Sequence, residues 1–293
     1  MKITEMKRHI IQAAAALLTN LNIKGFFTGS IYKGATKQAC VPGLNCYSCP
    51  GAVGACPIGS LQAELGKGKL RFPAYVTGIL LFFGVMFGRL ICGFFCLFGF
   101  IQDLLYKIPV PKLVIPKKID KPLRYVKYAI LLIFVIILPL FLRDEYGTSA
   151  PYFCKLICPA GTLEGGIPLV LLNTGLRSVI GFLFRWKVSI LIIIVALSIF
   201  IYRPFCKYIC PLGAIYSLFN RFSFYQMHLD KSRCIGCKQC ERQCKMGVEI
   251  TKNINSTECI RCGACINACK KGAISSGFNL QRSKTETKNA SAT

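Results

Sequence analysis

Histidine is almost missing from this 293-residue chain: His9 and His228 are the only two. Two imidazoles cannot serve a relay of bis-histidine haems, since each such haem takes two axial ligands. Acidic residues are also scarce, 12 against 37 Lys and Arg, giving a formal net charge of +25. A surplus of that sign suits nucleic acid, anionic lipid or an acidic partner. Here the cations sit beside long apolar runs and no basic–aromatic recognition motif stands out. Membrane lipid is therefore the expected partner, and nucleic acid is not. The single tryptophan, Trp186, opens an apolar run and reads as an interfacial anchor; His9 reads as another interfacial residue. No stand-alone catalytic constellation is visible, and no lipoprotein-type acylation site precedes Cys40.

What the chain has in excess is apolar surface and cysteine. Hydrophobic residues make up 53% of it, in long runs before about residue 203 and a polar, cysteine-dense stretch after it. Four runs, about 9–31, 72–91, 126–142 and 186–202, have about the length to cross a hydrocarbon core of ~30 Å. The first begins with Lys2, Lys7 and Arg8 and an Ala run at 13–16, like a signal sequence, but outruns a signal h-region and reads as an uncleaved helix. The run 163–184 is interrupted by Pro168, Asn173 and Arg177; it reads as an interfacial or re-entrant helix, with a fifth span as the alternative.

Lys107, Lys112, Lys117, Lys118, Lys121, Arg124 and Lys127 mark the 107–127 segment as a cytoplasmic loop. Four spans then put both termini and the C-terminal module in the cytoplasm, with 32–71 and 143–185 outside. Lys33, Lys37, Lys67, Lys69 and Arg71 count against that sidedness.

A motif recurs: Cys56-Pro-Ile-Gly, Cys96-Leu-Phe-Gly, Cys158-Pro-Ala-Gly and Cys210-Pro-Leu-Gly. A longer match pairs Arg89-Leu-Ile-Cys-Gly-Phe-Phe-Cys with Arg203-Pro-Phe-Cys-Lys-Tyr-Ile-Cys. A duplicated two-helix unit with a cysteine motif at each membrane face accounts for both. The expected architecture is an α-helical membrane protein of about four transmembrane helices, residues 1–220. A small α+β domain over 221–275, dense in cysteine, and a disordered tail over 276–293 complete it; the cysteine spacing that follows makes the small domain a two-cluster ferredoxin domain.

Eighteen cysteines in a small secreted chain would read as disulfides; in a chain this long and apolar, at these spacings, they read as metal ligands. Cys234, Cys237, Cys240 and Cys244 repeat the spacing of Cys259, Cys262, Cys265 and Cys269. A [4Fe–4S] cubane takes four thiolates, and in two-cluster ferredoxins the fourth cysteine of each run serves the other cluster. The expected groups are Cys234, Cys237, Cys240 and Cys269, and Cys259, Cys262, Cys265 and Cys244. The competing reading is a pair of four-cysteine zinc sites. Gly236 and Gly263 lie in the loops where backbone N–H groups approach the sulfides. Lys245 and Lys270 stand where a Pro usually follows the fourth cysteine.

Cys92/Cys96, Cys154/Cys158 and Cys206/Cys210 are Cys-x3-Cys pairs, and the following Pro and Gly are expected to end a helix there. One pair supplies two ligands. Cys92, Cys96, Cys206 and Cys210 are expected to meet as an inner four-thiolate site. Cys40, Cys46, Cys49, Cys56, Cys154 and Cys158 are expected to form an outer group that binds a further cluster or carries disulfides. The two lie across a wide apolar core, so a carrier such as a quinone between them would help. Asp144, Glu145 and Glu164 read as solvated loop charges, or as proton donors at a quinone site.

On Cys206-Lys-Tyr-Ile-Cys-Pro-Leu-Gly, Cys154-Lys-Leu-Ile-Cys-Pro-Ala-Gly, the Cys46-Tyr-Ser-Cys-Pro-Gly…Ala-Cys-Pro-Ile-Gly segment and the paired cubane runs, the chain resembles the NapH/MauN-type membrane ferredoxins. These are related to the polyferredoxin parts of NosR and CcoG proteins. The resemblance spans about residues 5–275, departs at Leu97, and includes no fused flavin-binding or large periplasmic domain. It implies a multi-pass protein of a prokaryotic cytoplasmic membrane. Such a protein passes electrons between a cytoplasmic donor or the quinone pool and an outward acceptor, as a subunit without catalysis of its own. The alternative is a maturation factor that reduces or delivers metal to a respiratory enzyme. A membrane redox sensor ranks third.

Overall fold

A computed structural model describes residues 5–67, 73–145 and 147–278. Lys2, Lys69, Arg71 and the polar tail from residue 279 lie outside the described residues. The described part is mostly helical, with one small sheet.

The 9–31 run does not make one span. Helix α1 (Glu5–Thr19) is 15 residues long, about 22 Å at 1.5 Å per residue, short of an apolar core. Polar side chains end it: Thr19 Oγ1 donates to Ala15 O at 2.9 Å and Asn20 Nδ2 to Ala16 O at 2.9 Å. Its buried face is polar too. Arg8 Nη1 donates to Asp103 at 2.7 Å and Gln12 Nε2 to Gly93 O at 3.0 Å. This helix is pinned to the protein body through buried polar contacts.

Helices α2 (Pro57–Leu65), α3 (Ala74–Phe87) and α4 (Leu97–Leu105) follow. Next come α5 (Lys117–Phe141), α6 (Pro159–Leu172), α7 (Phe182–Phe200) and α8 (Pro211–Phe219). Among the described residues, α5 and α7 are long and apolar enough to cross a membrane; α3 and α6 are shorter apolar helices. The core helix of a soluble protein would bury such residues. Here Leu132, Ile133 and Phe141 on α5 and Phe182, Ile192 and Ile193 on α7 are exposed.

At three of the cysteine motifs a one-turn helix ends as expected, just before Cys96, Cys158 and Cys210, and a second helix begins at once. The motif's Pro and Gly start that helix. Cys56, Cys96, Cys158 and Cys210 are the N-caps of α2, α4, α6 and α8, and Pro57, Pro159 and Pro211 take the first helical position. A first-turn residue has no use for its N–H, so proline fits there. Gly99, Gly161 and Gly213 donate their N–H to the Sγ of Cys96, Cys158 and Cys210 at 3.4, 3.4 and 3.3 Å. One-turn helices Leu90–Phe94, Tyr152–Leu156 and Pro204–Tyr208 carry the first cysteine of each pair. The motifs therefore turn the chain back into the body, and their cysteines line its core.

The basic 107–127 segment is only partly a loop. Its second half opens α5, and its cations are engaged. Lys127 pairs with Glu258 at 2.5 Å, Lys117 with Glu249 at 2.7 Å, and Arg124 with Asp120. Arg124 also donates to Met246 O at 3.2 Å. These contacts seat the C-terminal module against the start of α5. In that module β1 (Tyr225–Leu229) pairs antiparallel with β2 (Ile274–Phe278), Tyr225 opposite Phe278 and Leu229 opposite Ile274. Residues 276–278 thus belong to the sheet and not to a tail.

Candidate functional site

The two cubane loops repeat in backbone as well as in sequence. Gly236 and Lys238 flank Cys237 with positive φ of 69° and 55°; Arg261 and Gly263 flank Cys262 at 54° and 80°. Gly247 and Gly272, three residues after the fourth cysteine of each run, repeat at 68° and 62°. Alternating left-handed residues turn successive N–H groups toward one point, a nest for an anion. Gly236 and Gly263 thus hold non-equivalent positions, on opposite sides of the middle cysteine.

Cys265 lies within electrostatic reach of Cys259, Cys262 and Cys244, and Cys240 within reach of Cys269. Among the described residues, no three His, Cys, Asp or Glu side chains converge closely enough to hold a single metal ion. A four-iron cube takes one thiolate at each of four separated corners and needs a wider cradle. No two of the eighteen cysteines are joined in a disulfide.

The inner four also come together: Cys210 lies within reach of Cys206, Cys92 and Cys96. Two buried arginines hold them crosswise. Arg89 Nη2 donates to Cys206 O at 3.0 Å, and Arg203 Nη1 donates to Cys92 O at 2.6 Å. Each arginine stands three residues before the first cysteine of its own pair and braces the other pair, as a pseudo-twofold demands. Gly99 and Gly213 leave the room: a Cβ there would come within 3.2 Å of Arg203 Nη1 and 3.6 Å of Arg89 Nη2. Gln102 donates to the Cys206 Sγ at 3.1 Å.

Three buried carboxylates hold the surrounding cations. Asp103 takes Arg203 and Arg8, Glu258 takes Arg89 and Lys127, and Asp120 takes Arg124 and Lys207. Sequence reasoning noted Arg89 and Arg203 only as part of a repeat. It missed Gln102 and Asp103, whose signal was a polar pair inside an apolar helix after the cysteine motif, and Glu258, which stands in a polar stretch and carries no such signal.

The outer cysteines divide. Cys158 lies within reach of Cys154, Cys46 and Cys56. Cys49 has its Sγ 3.6 Å from Asn20 Oδ1 and lies within reach of the buried Lys37 and of Cys46, and it does not line the cavity that the others share. Cys40, Cys46, Cys56, Cys154 and Cys158 line one cavity of about 1050 Å³. Gln62 Nε2 lies 3.4 Å from the Cys154 Sγ. Burial pushes the Cys46 and Cys154 thiols up to about 12; a metal that takes such thiols must displace their protons. Glu164 is no solvated loop charge. It is buried on a widened turn of α6, accepts the Cys46 N–H at 2.7 Å, and its Oε1 has no protein partner. Asp144 and Glu145 are exposed.

The inner and outer groups are neighbours, contrary to the expected separation across the apolar core. The Pro42–Cys46 segment runs between them. Gly43 packs on the inner motif, where a Cβ would come within 2.5 Å of Phe95 O and 3.2 Å of the Cys96 Cα; the Leu44 and Asn45 amides lie toward Cys96 and Cys56, and Cys46 follows. Tyr216 fixes the segment by donating to Pro42 O at 2.8 Å and lies within reach of Cys92, Cys96, Cys40 and Cys56. Because the motifs fold inward, no membrane-wide gap parts the groups.

A helical body with long exposed apolar helices, a duplicated thiolate cradle and a cubane-loop module defines the class of a membrane iron–sulfur protein. The 4Fe–4S binding domain model matches twice in the body, at residues 73–121 and 183–230, and a second 4Fe–4S binding domain model matches residues 252–275. Two uncharacterized proteins of Methanocaldococcus jannaschii are 32% and 31% identical to the chain, over 205 and 234 residues. The matches cover 68% and 78% of this chain and 68% and 88% of theirs. The methylamine utilization ferredoxin-type protein MauN of Paracoccus denitrificans is 25% identical over 63% of this chain and 58% of its own. No solved structure matches. The chain belongs to the membrane polyferredoxin family.

Proposed function

We propose that the protein is a membrane electron relay whose cysteines hold iron–sulfur clusters in four groups. Two are the crossed groups of the C-terminal module. The third is Cys92, Cys96, Cys206 and Cys210. The fourth is Cys46, Cys56, Cys154 and Cys158, with Cys40 and Cys49 left over. Clusters in these groups supply reversible one-electron exchange. The protein's part is to set them in a row, to neutralise their charge with Arg89, Arg203 and Lys37, and to exclude water.

The observation that carries the reading is continuity. Ile260, between two cysteines of the module, presents its carbonyl to Gly93, where a Cβ would come within 2.5 Å. Gly93 follows Cys92 of the inner group, and the Leu44 and Asn45 amides link inner to outer. A quinone need not lie between the groups; it fits the reading as an acceptor at the outer cavity. The module and the basic start of α5 share one end of the molecule, which supports a cytoplasmic module in a multi-pass cytoplasmic-membrane protein.

The test is transfer across a bilayer. Proteoliposomes with a reductant on the module side and an impermeant oxidant opposite should pass electrons. Cys206→Ser or Cys158→Ser should stop transfer while the module still accepts electrons. Transfer that survives both substitutions would overturn the reading. A maturation role draws support from one feature: the outer cavity keeps a fifth thiol, Cys40, on its wall. Loss of another enzyme's metal centre on deletion, with electron flux through that enzyme's reductases intact, would favour it.

A further inference from the structure

The two ends of the module differ in what covers them. The group containing Cys259, Cys262 and Cys265 faces the body. Glu258 is held by Arg89 and Lys127, and Arg261 donates to Phe87 O at 2.7 Å and Asn220 O at 2.8 Å. The group of Cys234, Cys237, Cys240 and Cys269 faces away, with Cys237 exposed and Ile235 66% exposed beside it. A donor from solution meets this outer-facing group first.

Its rim is one-signed. Lys231, Arg233, Lys238, Arg242, Lys270 and Lys271 are all exposed, and each lies within three residues of a cysteine of this group. The nearby carboxylates are occupied. Asp230 accepts from Ser232 and pairs with Arg233 at 3.4 Å, and Glu241 accepts the Thr251 amide and hydroxyl at 2.9 and 2.5 Å. Clustered cations around a partly exposed apolar residue at a redox group make a steering surface for an anionic partner.

We infer that this rim docks an acidic one-electron carrier protein of the ferredoxin or flavodoxin kind. The purpose rests on the relay reading. The reduced carrier is oxidised by one electron and this protein is reduced by one; no bond forms or breaks, and no proton moves.

Binding can be read without electron transfer, so the inference is decided separately from the relay. The full chain, purified anaerobically in nanodiscs of zwitterionic lipid, is immobilised, and the oxidised carrier is passed over it. An acidic bacterial ferredoxin should bind with an association rate that falls steeply as salt rises, and a basic cytochrome c should not bind. The quadruple variant Lys231→Glu/Arg242→Glu/Lys270→Glu/Lys271→Glu should lose association rate by about tenfold or more at low salt. The milder Arg242→Gln/Lys271→Gln should lose less. Both variants must keep wild-type iron content and dithionite reduction, so a folding defect is visible. An acidic carrier that binds no better than the basic one, or is indifferent to these substitutions, would overturn the inference. So would failure of the carrier to bind combined with a rim-dependent attraction of the protein to anionic vesicles.

Discussion

Glu258 holds the module to the body, and removing its charge is the sharpest structural perturbation available. Its carboxylate pairs with Arg89 at 2.8 Å and Lys127 at 2.5 Å, and the side chains are 4%, 0% and 0% exposed. Glu258→Gln keeps the shape and leaves two buried cations without a counter-charge. Breaking a buried pair from one side costs about 3–5 kcal/mol. Part of this is recovered through the amide oxygen, which can still accept one hydrogen bond. At 1.4 kcal/mol per factor of ten, the docked-to-undocked ratio falls by about two orders of magnitude. Native-state hydrogen exchange of residues 256–263 reads that ratio, since opening exposes these amides. The variant should exchange there about a hundredfold faster, with unchanged protection within α7. Adding Lys127→Met should return part of the loss, because one of the two unpaired charges is gone. Unchanged exchange in Glu258→Gln, at wild-type iron content, would refute the claim that this ion triad fastens the module.

Cys158→Ser and Cys210→Ser should each lower bound iron by about four atoms per chain, one cubane's worth, whereas Cys40→Ser and Cys49→Ser should leave iron unchanged; metal analysis of anaerobic protein checks both. Gln102→Leu removes an N–H···S hydrogen bond at the Cys206 Sγ and should shift the inner centre to lower potential in a redox titration. Burial raises the Asp103 carboxyl, but Arg203 and Arg8 outweigh it and hold it well below the usual aspartate range. Its stabilisation is therefore complete above ~3.9, the unfolded aspartate value, and is lost only as pH falls through the lower folded value. Protection of α1 from exchange should stay flat from neutral pH to mildly acidic pH. Asp103→Asn should release α1 at neutral pH, by about 3–5 kcal/mol for the stranded arginines.

Much of the site was legible in the sequence because its chemistry is local. Three cysteines at two-residue spacing mark a cubane loop whatever surrounds them, and the duplicated spacing carries the expectation of exchanged fourth cysteines. The pairing of Cys92 with Cys206 was legible from the repeat. The path of the chain between motifs was not. Pro after Cys was read as a helix end, and a one-turn helix does end there; the same Pro also opens the next helix, with the following Gly bonded back to the Cys Sγ, a reversal of the chain that the proline alone did not reveal. That one reversal moves the outer cysteines from the far face to the side of the inner group. Hydropathy also overstated the spans. Arg8 read as the basic flank of an apolar run, whereas it and Gln12, which no sequence signal singled out, are the buried contacts that fix α1. Lys127 and Arg124 read as loop charges marking a side of the membrane, whereas they hold Glu258 and Asp120.

The central claim is that the body cysteines hold clusters in addition to the module. Iron and electron counting on the anaerobically purified full chain tests it most directly. Four cysteine groups predict about sixteen iron atoms and four one-electron equivalents per chain, with magnetic interaction between the reduced inner and outer centres in the electron paramagnetic resonance spectrum. About eight iron atoms, two equivalents and ten alkylatable cysteines would contradict it.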